Sequence, residues 1–465
     1  EATCVRAAPY PLTSEGVFMD RKLAETPGSD EWWIKRLFEK LVRQGREASK
    51  LRAWDEGTPP LPVPDNQRPA WERLQRIASV NLARLIVDAR LHRLNLKGAS
   101  TSLDDSPNGD DVLSSLFVEL DVQRKVHQAL RFALAEDRGF LMLTGDGDLR
   151  VSDAMHAAVE TDAEGRTVAA LSIYRDDPND RDVAILARPG YFRVAYKGGN
   201  SVLPRDMRSW MMAPDSWEFQ PRQPSGLDFI PAYELEPPGG SLIKAHLPSL
   251  ERINHGILQR MIIIAMQAFR QRAMKGLPDR DEEGNEIDYD GAFPSAPDAL
   301  WMLPEGVDLW ESGQGDLTPV LSAVKDDIRF LAAASKTPLF MISPDDANGS
   351  AEGAATQREI LIFDIESIIA AFGGPLKRML SDLLTIRGEI ERANLTGIRL
   401  IWANPRRSSL NERAASALAA KQAGIPSRFV FEKFAEMEPD EVEAAMRDRD
   451  DDVFAQAAAS AEVAP

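Results

Sequence analysis

Residues 249–275 read SLERINHGILQRMIIIAMQAFRQRAMK. Leu250, Ile253, Ile257, Met261 and Ile264 recur at the three-and-four spacing that gathers side chains on one helical face. A second row, Leu258, Ile262, Met266 and Phe269, falls on another face. A helix apolar on more than one face is covered on more than one side. The stretch is therefore expected in a core, or packed between copies of itself. As one helix it would extend about 40 Å.

Working downstream, residues 278–316 read as loop and short strands, and a second helix is expected over 317–336. The two helices bracket an insertion, the pattern of a hairpin arm with a small module at its tip. The loop SPDDANGSAEG occupies 343–353. A third helix is expected from 354 to 388, with Gly373-Gly374-Pro375 as a candidate bend. Ile398–Trp402 reads as a strand, and 408–423 and 439–449 as helices, with Ser427 after Gly424-Ile425-Pro426 as an N-cap. An Ala-rich tail closes the chain.

Upstream, residues 1–30 lack periodicity and read as an extended arm. Trp33, Leu37, Phe38 and Leu41 form the stripe of an amphipathic helix over 31–54, and PPLPVP at 59–64 forbids its continuation. Helical patterns return at 69–95 and 111–136, separated by the loop-like GASTSLDDSPNGDD. From 139 to 197 the period shifts toward two. Phe140–Leu143, His156–Val159, Val168–Tyr174 and Asp182–Leu186 read as strands joined by turns such as TGDGD and TDAEGRT. Residues 213–247, rich in Pro and Gly, read as a connector. The fold class this predicts is α+β, mainly helical, with helices packed on an antiparallel meander.

The chain has 465 residues, enough for about three structural units at roughly 150 residues each. It is 43% hydrophobic and 28% charged, an ordinary globular composition. Its net charge of −18 argues against a protein that grips DNA through dense Lys and Arg, but suits a wall past which phosphate slides. The lone Cys4 excludes an intrachain disulfide and fits a reducing compartment. No secretory pattern opens the sequence. The apolar run Met261–Met266, bracketed by Arg260 and Arg270, is far short of the ~18 residues that cross a bilayer, so no membrane role is expected.

Catalytic signatures are missing. No GxGxxG, no GxxxxGK[ST] and no G-x-S-x-G occurs, so the usual phosphate cradles and nucleophile elbow are excluded. His92, His127, His156, His246 and His255 show no metal-ligand spacing. Asp279, Asp281, Glu283, Gly284 and Asp290 imitate part of an EF-hand loop, yet Asp stands where the final bidentate Glu belongs; a solvated acidic loop is the expectation. No catalytic residue, metal or cofactor is expected, and the chain reads as a non-enzyme. Trp32, Trp33, Trp301 and Trp310 are expected in cores or subunit interfaces.

Four stretches together resemble the portal proteins of tailed bacteriophages, in particular long-tailed phages of actinobacteria. They are ERINHGILQRMIIIAMQAFRQRAMKG, then LWMLPEGVDLWESGQGDLTPVLSAVKDDIRFLAAASKTPLFMISPDDANGSAEGAA, then QREILIFDIESIIAAFGGPLKRML, and finally NERAASALAAKQAGIPSRFVFEKFAEMEPDEVEAAMRDR. The resemblance is strongest from about 215 to 445 and lies in their order and spacing. It implies a portal fold: 1–30 an N-terminal arm, 31–245 the wing, 246–277 the first stem helix, 278–316 the clip, and 317–340 the second stem helix. In the same scheme 341–353 is the tunnel loop, 354–405 a long tunnel helix returning to the wing, 406–450 a small crown, and 451–465 a flexible tail.

The roles it implies follow that order. Ile253, Ile257, Met261 and Ile264 would pack the stem. Trp301, Leu303, Val307 and Trp310 of the clip would dock partners. Ser343, Asp345, Asp346, Asn348, Ser350 and Glu352 would face DNA from the tunnel loop. The loop carries no Lys or Arg, which implies weak, sliding contact. The implied assembly is a homo-oligomeric ring of about twelve subunits at the capsid vertex of the virion, formed in the host cytoplasm. Its implied partners are double-stranded DNA, the large terminase subunit, a head–tail adaptor, and the major capsid and scaffold proteins. Two alternatives stay open: another capsid-associated or head-completion protein, and a hydrolase of unrecognised fold using paired carboxylates.

Overall fold

The structure, a computed structural model, describes residues 17–18, 26–60, 69–104, 109–198, 217–268, 272–277, 280, 284–287, 289, 306–311, 318–342, 351–406, 410–435, 437 and 441–449. In chain order it begins with β1 (Val17–Phe18), α1 (Asp30–Asp55), α2 (Pro69–Ala78), α3 (Leu82–Leu91), β2 (Leu96–Ser100), α4 (Asp111–Glu119) and α5 (Val122–Glu136). Nine strands follow: β3 (Gly139–Leu143), β4 (Leu149–Asp153), β5 (Ala157–Thr161), β6 (Thr167–Asp176), β7 (Arg181–Arg188), β8 (Tyr191–Gly198), β9 (Glu218–Phe219), β10 (Gln223–Pro224) and β11 (Ala232–Leu235). Then come α6 (Leu247–Ala268), β12 (Arg272–Lys275), β13 (Asp308–Glu311), α7 (Thr318–Ala334), α8 (Leu339–Ile342), α9 (Ala351–Ile386), β14 (Arg399–Trp402), α10 (Leu410–Gln422) and α11 (Ser427–Phe429). The last described helix, α12, spans 441–449. The class is α+β, as the sequence predicts.

The chain divides into two compact units rather than three. Unit 1 comprises Glu1–Arg52, Val87–Ser241 and Arg358–Pro465, and unit 2 comprises Ala53–Ile86 and Leu242–Gln357. Each is assembled from separate stretches of chain, which a count based on length does not anticipate.

In unit 1 the main sheet is seven-stranded, ordered β1-β9-β8-β7-β6-β5 with β10 also paired to β8. One face meets α1. Ile34, Leu37 and Leu41 project at helical spacing onto Leu171, Ile173, Leu186 and Ala195, and all are buried. At about 1.5–3 kcal/mol per large side chain, this interface is a major stabiliser. A second sheet, β11-β3-β4, packs on α5. The approach is so close that a Cβ at Gly139 would lie 2.1 Å from the Ala129 carbonyl oxygen. Arg52 ties α1 to both elements, donating to Glu136 at 2.7 Å and Asp153 at 2.6 Å. Burial alone would raise the Asp153 pKa. The His156 hydrogen bond and the Arg52 guanidinium outweigh it and hold the carboxyl far below the usual range.

Several expectations are corrected. Residues 213–247 are no mere connector, since β9, β10 and β11 lie there. Part of the loop-like stretch after 97 is strand β2, paired with β14. The helical pattern at 69–95 breaks at Asn81, whose side-chain oxygen accepts the Arg84 N–H at 3.1 Å and starts α3. The pattern at 111–136 breaks at Asp121, which sits at φ +51°. The helix expected over 249–275 stops at Ala268. Arg272–Lys275 pairs instead with Asp308–Glu311, satisfying its main-chain groups as an antiparallel ribbon. The helix expected from 354 begins at Ala351 and stays helical through Gly373-Gly374-Pro375. Ser427 is the first helical residue rather than the N-cap. Pro426 takes the cap position, its carbonyl accepting the Val430 N–H at 3.0 Å, and the Ser427 side chain makes no capping bond.

Candidate functional site: the helical arm of unit 2

The arm consists of α6 and α7, packed together and joined through the β12–β13 ribbon. They run antiparallel. Arg252 of α6 pairs with Asp327 of α7 at 2.9 Å. One turn on, Gly256 faces Val324, where an added Cβ would sit 2.9 Å from Val324 Cγ2. Glycine there lets the helices approach closely. At the base of the arm α2 packs on α6. Asn254 holds that junction, its Oδ1 accepting the Val80 N–H at 3.0 Å.

Burial falls along α6 toward the ribbon. Ile253 and Ile257 are 1% and 9% exposed. Met261, Ile262 and Ile263 are only half-buried, and Ile264 is 48% exposed. On the facing helix Leu331 is fully buried, whereas Leu321 and Phe330 are 39% and 66% exposed. Isolated exposed hydrophobics are ordinary. An apolar row that begins in a core and continues exposed along the same helix leaves a surface open to a partner.

The four stem residues named from the sequence therefore divide. Ile253 and Ile257 serve the chain's own core, Met261 is intermediate and Ile264 is uncovered. Of the residues the resemblance assigns to partner docking, Trp310 lies on β13 opposite Ala273 and is exposed, and Val307 precedes it half-buried. Trp301 and Leu303 lie outside the described residues. So do Ser343, Asp345, Asp346, Asn348 and Ser350, while Glu352 falls in the first turn of α9. Of the EF-hand-like residues, Asp279, Asp281, Glu283 and Asp290 lie outside them too, and Gly284 is a bend at φ +87°. Among the described residues, no three His, Cys, Asp or Glu side chains are placed to hold a metal ion. No described helix is long and apolar enough to cross a membrane.

Sequence reasoning missed Leu321 and Phe330. They stand on opposite sides of α7, flanking the face that carries Val324 and Leu331, so they form no single periodic row that would announce them. In unit 1, α10 likewise exposes Leu410 and Leu418 and buries only Ala420. Trp33, expected in a core or interface, packs edge-on against Trp32 at 4.8 Å beside the α1–sheet core.

No protein-family model matches the chain, and no curated protein matches it. Among solved structures it is similar to a chain from the neck of a native GTA particle computed with C12 symmetry, at 12% identity and TM-score 0.41, covering 86% of this chain and 93% of that one. It is also similar to a chain from the neck of an empty GTA particle computed with C6 symmetry, at 14% identity and TM-score 0.45, covering 85% and 95%. A third similarity is to a chain of the virion of a native gene transfer agent particle, at 15% identity and TM-score 0.38, covering 81% and 88%. All three are distant.

Proposed function

We propose that this chain is a structural subunit of a phage-like head–neck assembly, and within that class a portal protein, one member of a homo-oligomeric ring through whose axis double-stranded DNA passes. The observation that carries this is the arm whose apolar row runs from buried Ile253 to uncovered Ile264, with Leu321 and Phe330 uncovered on the facing helix. A ring places the same arm beside its copy through a head-to-tail contact that closes by rotation, and so covers the row. The order of stem, insertion, stem, Gly-rich loop and long helix, which resembles portals, supports the same reading.

In this reading Ser343, Asp345, Asp346, Asn348, Ser350 and Glu352 border the channel, and the acidic chain keeps phosphate sliding rather than bound. The segment with Trp301, Leu303, Val307 and Trp310 docks the large terminase subunit during packaging and a head–tail adaptor afterwards. Capsid and scaffold proteins surround the ring in the virion, and no catalytic step belongs to the chain. Negative-stain electron microscopy of the purified protein, with its mass in solution, tests this. Rings with a central channel are expected. A single-chain mass at every concentration and salt, even with scaffold added, contradicts it. Rings with the outline of a flat adaptor would reassign the chain to another head-completion role.

A further inference from the structure

Unit 1 holds a groove of about 590 Å³ between its two sheets, remote in sequence from the arm. The main sheet turns one face to α1. At one end its other face packs on β3 and β11, through Ala170, Ala187 and Ile230. Among the described residues no element covers the rest of that face, and Tyr174, Ile185 and Val194 floor the groove.

The opposite side is strand β4. Four consecutive β4 residues, Leu149 to Ser152, line the space. A strand showing one face contributes alternate residues, so the groove looks onto the edge of β4. Among the described strands β4 pairs only with β3. Leu143 N–H donates to Pro231 and Thr144 N–H to Asp148, each at 2.9 Å. Main-chain groups alternate sides along such a ladder. Arg150 and Ser152 therefore direct theirs to β3, and Val151 directs its N–H and carbonyl toward the groove. The Leu149 N–H is already taken by Asp148 at 2.8 Å.

The charges are equally specific. On the wall formed by α5, Arg124 is paired with Asp121 and Lys125 with Asp148. Arg150 makes no salt bridge within 4 Å among the described residues; after the Thr144 hydrogen bond, its charge helps hold the nearby Asp146 carboxyl low, and its guanidinium lies 5.5 Å from the Tyr174 ring centre. An open strand edge, an apolar floor and a cation held in no direct salt bridge suit an extended peptide that sets a carboxylate beside an apolar side chain.

The sequence contains such a stretch directly after α12: Asp450-Asp451-Asp452-Val453-Phe454, outside the described residues. We infer that this groove is a strand-addition site whose occupant is the chain's own Asp450–Phe454 segment, pairing with the β4 edge at Val151, its carboxylates on Arg150 and its apolar side chains on Ile185 and Val194. The inference is independent of the ring reading.

The test places a photo-crosslinking phenylalanine analogue at position 454 of the full chain and maps the products by mass spectrometry. Adducts are expected on Met142, Ile185 and Val194, and their mass states whether the segment comes from the same chain or a second copy. Arg150→Glu should lower the yield about five-fold, the scale of one partly screened ion pair, and Asp451→Arg with Asp452→Arg should restore it in that background. Val151→Pro removes the outward N–H while leaving the bonds to β3, and should lower the yield further. Adducts elsewhere overturn the proposal. So does a groove yield that none of these substitutions changes in a chain whose thermal melt is unaltered.

Discussion

The interface of α1 with the main sheet and the arm of α6 and α7 are built from the same materials, and they end differently. Along α1 every residue of the apolar stripe from Ile34 to Leu41 reaches a partner strand and is buried. Along α6 the stripe begins the same way at Leu250 and Ile253, then continues past the end of its cover. A stripe that terminates with its partner belongs to the chain's own core. In the proposed reading, a stripe that outruns its partner belongs partly to an assembly. The two regions should therefore respond differently to substitution: the first in the stability of the single chain, the second in association.

The largest stability loss is expected at the self-sufficient interface. Leu37→Ala should lower unfolding stability by about 3 kcal/mol, read in urea melts. A loss below about 1 kcal/mol would mean that the α1 interface is not the core it is taken for.

Asp153→Asn comes next, at about 2 kcal/mol near neutral pH, because it leaves Arg52 with Glu136 alone. Its pH dependence sharpens the point. The folded pKa of Asp153 is depressed, so the unfolded chain takes up the proton first. The stabilisation is complete above the ordinary carboxylate value of about 3.9. It is lost as pH falls through that value toward the folded one. The substitution should flatten this acid limb of the stability profile. An unchanged limb would show that Asp153 is not held by its partners.

Within the arm, Gly256→Leu should push α6 from Val324 and cost about 1–3 kcal/mol, since the added side chain has no space there. A neutral effect would mean that the helices do not approach as closely as the glycine allows. The smallest effect is expected at Ser427→Ala, within about 0.5 kcal/mol, because its side chain makes no capping bond. A loss near 1 kcal/mol would restore the N-cap role expected from the sequence.

What could be read in advance follows the same division. Elements whose partners are near in sequence, or whose period is strong, were legible: α1, strands β6 and β7, and the helix–insertion–helix of the arm. Elements defined by distant pairing were not. Strand β11 matters because Tyr233 lies opposite Leu141, and β2 because Ser100 lies opposite Arg399. Neither segment carries an alternating pattern that announces it. The end of α6 was misplaced because no Gly or Pro marks Ala268, and the ribbon that replaces the helix depends on Asp308–Glu311, far along the insertion. At the candidate site, periodicity named Ile253, Ile257, Met261 and Ile264 as one face. Which of them the chain itself covers depends on where α7 and α2 end, and a helical projection does not contain that information.

The most direct test of the account compares the wild-type chain with the double substitution Ile264→Glu and Phe330→Glu by analytical ultracentrifugation, with a thermal melt of each. The account predicts a ring-sized species for the wild type, a single-chain species for the variant, and melts of the variant and of dissociated wild-type chain that lie close together, because Ile264 is about half exposed and Phe330 mostly exposed within one chain. Ring-sized assembly by the variant would contradict it, and so would a variant that is single-chain only because its own fold has collapsed.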